Sequence, residues 1–129
     1  MKNRVPLTEL PKGIAKGFLG FPLNLDLENL DAQIAILGVP YGLPYYPNEL
    51  ANDQSTAPDL LRQNAQDAAW DEPRTTNHFD WDLGGSLLDN KNIKIIDLGN
   101  VTADFRNPRE HYKRAEEVAR KVFSSNTTL

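Results

Sequence analysis

The sequence predicts an α/β fold built on a parallel sheet, of which this chain carries the opening strands and helices. Three observations point there. Two short apolar runs, at 33–39 and 92–98, lack the polar/apolar alternation of a strand with one wet face, which suits strands buried on both sides. A long excursion separates them, as a crossover between parallel strands requires. An amphipathic helix with clear start signals follows the second run.

Residues 1–31 form an arm punctuated by Pro6, Pro11, Gly13 and Gly17, with no long helical or strand period. It ends in Leu25-Asp26-Leu27-Glu28-Asn29-Leu30-Asp31, whose leucines suit docking on a surface. The first strand, Gln33-Ile34-Ala35-Ile36-Leu37-Gly38-Val39, is stopped by Gly38 and by Pro40, which has no N–H for a ladder. Residues 41–57 have loop composition: Gly42, Pro44, Pro47, Asn48, Asn52 and Asp53. A short helix then opens with Pro58 at its first position, Asp59 against the dipole and Leu60-Leu61 as its apolar side, fading between Asn64 and Asp67. Residues 68–92 read as irregular.

The second strand, Asn92-Ile93-Lys94-Ile95-Ile96-Asp97-Leu98, ends at Gly99-Asn100. The last helix has Asn107 as cap, Pro108 in its first turn and Glu110 in the acid position of a capping box. Tyr112, Ala115, Val118, Ala119, Val122 and Phe123 fall on one stripe, and Glu116–Arg120 and Glu117–Lys121 are spaced as i,i+4 ion pairs. The helix ends near Ser124 to Asn126, and Thr127-Thr128-Leu129 reads as the first step of a third strand. Two strands alone are marginal and leave both sheet edges open, so the pattern is that of an incomplete domain.

Composition removes several functional classes. A formal charge of -4 over 129 residues and a pI near 5.1 leave no electrostatic footprint for nucleic acid. No Lys/Arg cluster favours an anionic membrane surface, and no apolar run approaches the ~20 residues that span a bilayer. The first twenty residues lack the apolar core of a signal peptide. With no cysteine, disulfides, thiolate metal sites and thiol nucleophiles are excluded. The expectation is a soluble, cytoplasmic chain with no nucleic-acid or membrane partner.

Among candidate site residues, His78, Asp80 and Asp82 form H-x-D-x-D, a spacing compatible with a metal but lacking a further ligand nearby. The favoured reading is a surface loop with Phe79 and Trp81 turned inward. Asp97, at the end of a parallel strand, is expected to hold the following turn through its backbone rather than to act on a ligand. Tyr41, Tyr45, Tyr46 and Asn48 follow the first strand and are equally suited to contact a substrate or to pack the loop or an interface. His111 is expected in water. Gly38, Gly99 and Gly84-Gly85 show no phosphate-loop spacing, so nucleotide binding ranks last.

The stretch Asn29-Leu30-Asp31-Ala32-Gln33-Ile34-Ala35-Ile36-Leu37-Gly38-Val39-Pro40-Tyr41-Gly42 resembles the "DADIAILGVPFD" first strand of the arginase/agmatinase (ureohydrolase) family. Ala57-Pro58-Asp59-Leu60-Leu61-Arg62 is similar to its "GPxxIR" helix start, and Ile96-Asp97-Leu98-Gly99-Asn100-Val101 to its "DLGDV" second strand. The helix from Pro108 to Phe123 sits where that family leads into its third strand. Phe18-Leu19-Gly20-Phe21-Pro22 and Asp80-Trp81-Asp82-Leu83-Gly84-Gly85 look more like the agmatinase or guanidine-hydrolase side than arginase proper. Tyr45-Tyr46-Pro47-Asn48-Glu49 stands where the family has Arg-Pro-Gly.

The resemblance implies a three-layer α/β/α fold, here incomplete, with 1–31 as an N-terminal arm and 32–129 as a partial ureohydrolase domain. It implies hydrolysis of a guanidino C–N bond, releasing urea or ammonia, by a hydroxide between two manganese or nickel ions. It also implies a small guanidino substrate and a homo-oligomer for the complete protein. The family's ligand segments, "GGDH", "DAHxD" and "DxDxxDP", are absent, so neither a catalytic residue nor a metal ligand is assigned in this chain and none of its residues binds a cofactor. The expectation is an N-terminal portion of such an enzyme, inactive alone. The alternative is a non-catalytic α/β fragment that completes a partner's sheet.

Overall fold

The computed structural model describes residues 4–41, 53–88, 91–104 and 106–129. Their regular elements are β1 (Thr8–Glu9), β2 (Ile34–Gly38), α1 (Ala57–Asp67), α2 (Glu72–Thr76), β3 (Phe79–Asp80), β4 (Gly85–Ser86), β5 (Ile95–Val101) and α3 (Pro108–Ser124), with 3₁₀ turns at Phe18–Gly20 and Asp53–Thr56.

The two apolar runs pair in parallel, Ile34 opposite Ile95, Ala35 opposite Ile96 and Ile36 opposite Asp97. The sheet is mixed, because the arm occupies the other edge of β5. There β1 runs antiparallel, Thr8 opposite Val101 and Glu9 opposite Asn100, and Leu23 forms a parallel bridge with Asp97. At the edge of β2, Thr128 bridges Ile34 in parallel. Its N–H donates to the Gln33 carbonyl at 2.9 Å, and the Ala35 N–H donates to the Thr128 carbonyl at 2.8 Å. The expected first step of a third strand is in place.

β5 continues past the Gly99-Asn100 stop that its composition suggests. A register shift makes this possible: between Ile36 and Gly38 on β2, the partner advances from Asp97 to Asn100. The extra residue is absorbed at Gly99, whose φ of +71° is left-handed, and a Cβ there would lie 2.3 Å from the Glu9 carbonyl oxygen. β1 then holds Asn100 and Val101 in the ladder. The bulge also resets the alternation of side chains. Ile96, Leu98 and Val101 join one apolar cluster with Val118 and Val122 of α3, whereas Asp97 and Asn100 are bonded to Arg62 of α1. Helices therefore cover both faces.

The core is Ala32, Ala35, Ile96, Leu98, Val101, Val118 and Val122, with Leu7, Leu27 and Leu30 of the arm packed against it. Full burial of each large aliphatic side chain contributes roughly 1.5–3 kcal/mol. Two helical faces differ from expectation. On α3 the buried positions are His111, Val118 and Val122, with Ala115 packed beside them, while Tyr112 and Phe123 are more than half exposed. On α1 it is Arg62 and Ala65 that turn inward, leaving Leu60 and Leu61 half exposed. On α1 the inward Arg62 is received by Asp97 and Asn100, and on α3 the His111 ring stacks on Tyr41.

Glu116–Arg120 pairs as expected, but Glu117 reaches Arg4 and Lys121 reaches Glu28, so these two charges tie the arm to α3. The stretch 68–92 is more regular than its composition suggests. Asp71 caps α2 by accepting the Arg74 N–H, and β3 and β4 make a small antiparallel hairpin.

Candidate functional site

The ends of β2 and β5 meet α1 in a buried polar knot. Arg62 is 2% exposed and Asp97 is fully buried. Arg62 Nε donates to Asp97 Oδ2 and Nη2 to Asp97 Oδ1, both at 2.8 Å, a two-pronged match of fork to carboxylate. Nη2 also reaches the Gly99 carbonyl at 2.9 Å, and Nη1 donates to Asn100 Oδ1 at 2.7 Å. Asn100 Nδ2 in turn donates to Asp59 Oδ1 at 2.7 Å. Asp97 accepts two further backbone N–H groups, from Phe18 at 2.7 Å and from Gly99 at 2.8 Å. The second contact is the local turn expected of Asp97; the ion pair is an addition to it.

Glycines make the knot possible. A Cβ on Gly38 would lie 2.0 Å from Asn100 Oδ1, and one on Gly17 would lie 2.5 Å from Asp97 Cβ. Beside the knot, Phe18, Ile36, Leu37, Gly38, Val39, Pro58, Leu61 and Arg62 line an open depression of about 220 Å³. Its position, at the carboxyl end of a parallel strand, is where α/β proteins place ligands. Its walls are apolar, and Arg62 is already satisfied.

A second cluster lies where α3 begins. His111, expected in water, is 1% exposed. Its ring stacks on Tyr41, with centroids 5.6 Å apart and planes 16° from parallel, and Tyr41 packs against Tyr112 at 5.0 Å. Neither His111 nitrogen has a hydrogen-bond partner of normal geometry, nor has Thr102 Oγ1. Burial pushes the imidazole pKa below its ordinary value; the Thr102 backbone pulls the other way, and Arg114 adds to the lowering. Burial is the largest of these influences, and the Thr102 carbonyl also accepts from Arg114 Nη1 at 3.0 Å. The neighbouring Tyr41 side chain raises the Tyr112 phenol pKa.

The other candidates separate. Tyr45, Tyr46 and Asn48 lie outside the described residues, so Tyr41 is the member of that set with a described position. Phe79 and Trp81 do not turn inward: they contact each other edge-on at 4.9 Å, and Trp81 is 88% exposed. His78 packs against Trp70, and Asp80 Oδ1 accepts the Leu83 N–H at 2.8 Å. Among the described residues, no group of three or more His, Asp or Glu side chains is arranged to hold a metal ion. The donor set for two divalent ions is therefore not met by these residues.

Over 115 residues the chain is 31% identical to the agmatinase of Photorhabdus laumondii, a match covering 89% of this chain and 34% of that protein. It is 26% identical over 111 residues to the agmatinase of Proteus mirabilis, covering 86% and 33%, and 24% identical over 115 residues to that of Cronobacter sakazakii, covering 89% and 34%. The chain is similar to these agmatinases along nearly its whole length. It spans about a third of the length of these curated agmatinases. No family model and no solved structure matches it. The strand and helix signatures that resembled this family hold the residues of the knot: Gly38 in the first, Asp59 and Arg62 in the second, Asp97, Gly99 and Asn100 in the third. Arg62 was visible in the sequence only as a motif letter. A lone Asp97 inside an apolar run was the available signal, because a buried carboxylate requires donors or a cation.

Proposed function

We propose that this chain is the N-terminal part of a metal-dependent hydrolase that cleaves the guanidino C–N bond of agmatine, guanidine or a related compound, releasing urea or ammonia. The observation that carries the reading is the similarity to several agmatinases along nearly the whole of this chain. On this reading residues 1–31 are an arm and 32–129 the opening part of a three-layer α/β/α ureohydrolase domain in a cytoplasmic homo-oligomer. The Arg62–Asp97–Asn100–Asp59 knot is scaffold, locking two strand ends beneath the pocket rim. Tyr41, Tyr45, Tyr46 and Asn48 belong to that rim, where an aromatic face attracts a guanidinium by roughly 0.5–2 kcal/mol. Manganese or nickel, which would generate the attacking hydroxide, is held by protein outside this chain, so the chain alone has no hydrolase activity.

The test uses the full chain with Mn²⁺ or Ni²⁺ and either agmatine or guanidine. No urea or ammonia is expected, and the melting temperature is expected not to move, since a ligand stabilises only what it binds. Mixing the chain with the part of the Photorhabdus laumondii agmatinase that the match leaves uncovered is expected to restore urea release. Hydrolysis by the chain alone, or a metal-raised melting temperature, would overturn the scaffold assignment.

A second reading, an assembly fragment that completes a partner's sheet, is favoured by one observation. Among the described residues Thr128 bridges that edge of β2 at Ile34 and bonds Ala35, so the bridge covers only the start of the strand. Association with the agmatinase segment without any hydrolysis would select this reading.

A further inference from the structure

His111 is a buried imidazole that the scaffold role does not use, and its surroundings are unusual. Tyr41, just beyond β2, stacks on it from one side, and Tyr112 of α3 packs against Tyr41. The Thr102 hydroxyl, just beyond β5, is buried without a hydrogen-bond partner, as are both imidazole nitrogens. The charged neighbour is Arg114, one turn along α3, whose Nη1 holds the Thr102 carbonyl at 3.0 Å. The acidic side chains around it are engaged with other cations: Asp104, which also feels Arg114, pairs with Arg106, Glu110 with Lys113, Glu116 with Arg120 and Glu117 with Arg4. An imidazolium in this place would have a cation beside it, no carboxylate paired with it and little water.

We propose that His111 and Tyr41 form an acid-released latch that joins the exit of β2 to the first turns of α3. The stack is closed while the imidazole is neutral. Protonation makes the buried position costly, and the ring is relieved by leaving it, which takes away the stacked one of the two α3 rings that Tyr41 touches. The direction follows from linkage. The open ring titrates near the ordinary value of about 6.5, and the closed ring below it. As pH falls below about 6.5 the open form binds more protons, and the open-to-closed ratio grows by up to about tenfold per pH unit until the closed ring also titrates. Burial and the stack supply the argument; the lowered imidazole pKa agrees with them. The latch does not depend on the proposed hydrolase role.

The experiment is NMR on the full chain from pH 8 to pH 5, following the His and Tyr ring resonances and the amide exchange of His111 and Tyr112. His111 is expected to titrate below the ordinary imidazole value of about 6.5, with the Tyr41 ring shifts moving at the His111 midpoint. Exchange of the two amides, corrected for its intrinsic pH dependence, is expected to speed by up to about tenfold per pH unit over the same range. His111→Phe keeps a flat ring under Tyr41 and should abolish the transition. A Tyr41 signal that ignores the His111 titration, a His111 midpoint at or above about 6.5, or an unchanged transition in His111→Phe would each overturn the latch. If His111→Phe does not fold, the His111 midpoint and its coincidence with the Tyr41 shifts in the unaltered chain decide the matter alone.

Discussion

Arg62 and Asp97 meet fork to fork inside the protein, Nε to Oδ2 and Nη2 to Oδ1 each at 2.8 Å, with side chains 2% and 0% exposed. A buried pair of this kind contributes little net stability over an apolar replacement, yet breaking it from one side is expensive, because the remaining charge has neither water nor partner. The pair joins α1 to β5 across 35 residues of chain.

Arg62→Ala is therefore expected to lower unfolding stability by about 3–5 kcal/mol. The Phe18 and Gly99 N–H groups still solvate Asp97 but do not neutralise it. Arg62→Lys retains the charge and loses the fork, so it should fall between the two. Urea denaturation followed by circular dichroism measures both. A loss under about 1 kcal/mol for the alanine variant would mean that water reaches Asp97.

Gly38 and Gly84 offer a contrast between crowding and backbone strain. A Cβ on Gly38 would meet Asn100 Oδ1 at 2.0 Å and Arg62 Nη1 at 3.1 Å, whereas Gly84 has φ +67° and nothing within 4 Å. Gly84→Ala costs about 1–2 kcal/mol from the left-handed backbone alone. Gly38→Ala must displace a buried hydrogen-bonded amide and is expected to cost the larger amount, on the order of 3 kcal/mol. Equal midpoints in thermal or urea unfolding would show that the knot yields without loss.

What the sequence made legible follows from what its patterns encode. The strand at 34–38 and the helix at 108–124 were readable because unbroken apolar runs and a 3.6-residue stripe are local signals. The continuation of β5 through Asn100 was not, because a bulge at Gly99 and pairing with β1 are tertiary events that residues 92–101 do not announce. His111 was assigned to water by residue type and Arg62 was given no place at all, although each sits on its helix at the spacing of its apolar neighbours, Ala65 for Arg62 and Ala115 and Val118 for His111. α2 did carry its signature, an Asp71 cap followed by Pro73 in the first turn, within a stretch whose overall polarity hid it.

The His111 ring also predicts the slope of global stability with pH. Its pKa is lowered by burial, so the unfolded chain binds the proton more readily than the folded one. The contribution is fully present above the ordinary imidazole value of about 6.5 and is lost progressively as pH falls below it. In unfolding experiments between pH 8 and pH 5, the unaltered chain should lose more stability than His111→Phe. A parallel pair of curves would place the acid sensitivity on other groups.

The last prediction concerns where the knot keeps its second carboxylate. The resembled second-strand motif has Asp where this chain has Asn100, and here Asn100 Nδ2 donates to Asp59 Oδ1 at 2.7 Å while its Oδ1 accepts from Arg62 at 2.7 Å. Asn100→Asp would keep the contact with Arg62 but set two carboxylate oxygens against each other, so it should destabilise by roughly 1–3 kcal/mol near neutral pH. The penalty should shrink as pH falls below about 5, when one proton can be shared. Asp59→Asn alone removes only a distant charge, 3.8 Å from Arg62 Nη1 and partly exposed, and should cost under about 1 kcal/mol. Combining the two returns a donor opposite an acceptor with the roles exchanged, so the double variant should be more stable than Asn100→Asp. A double-mutant cycle measures the coupling. Strictly additive losses would mean that Asp59 swings out to water and that the Asp59–Asn100 contact fixes nothing.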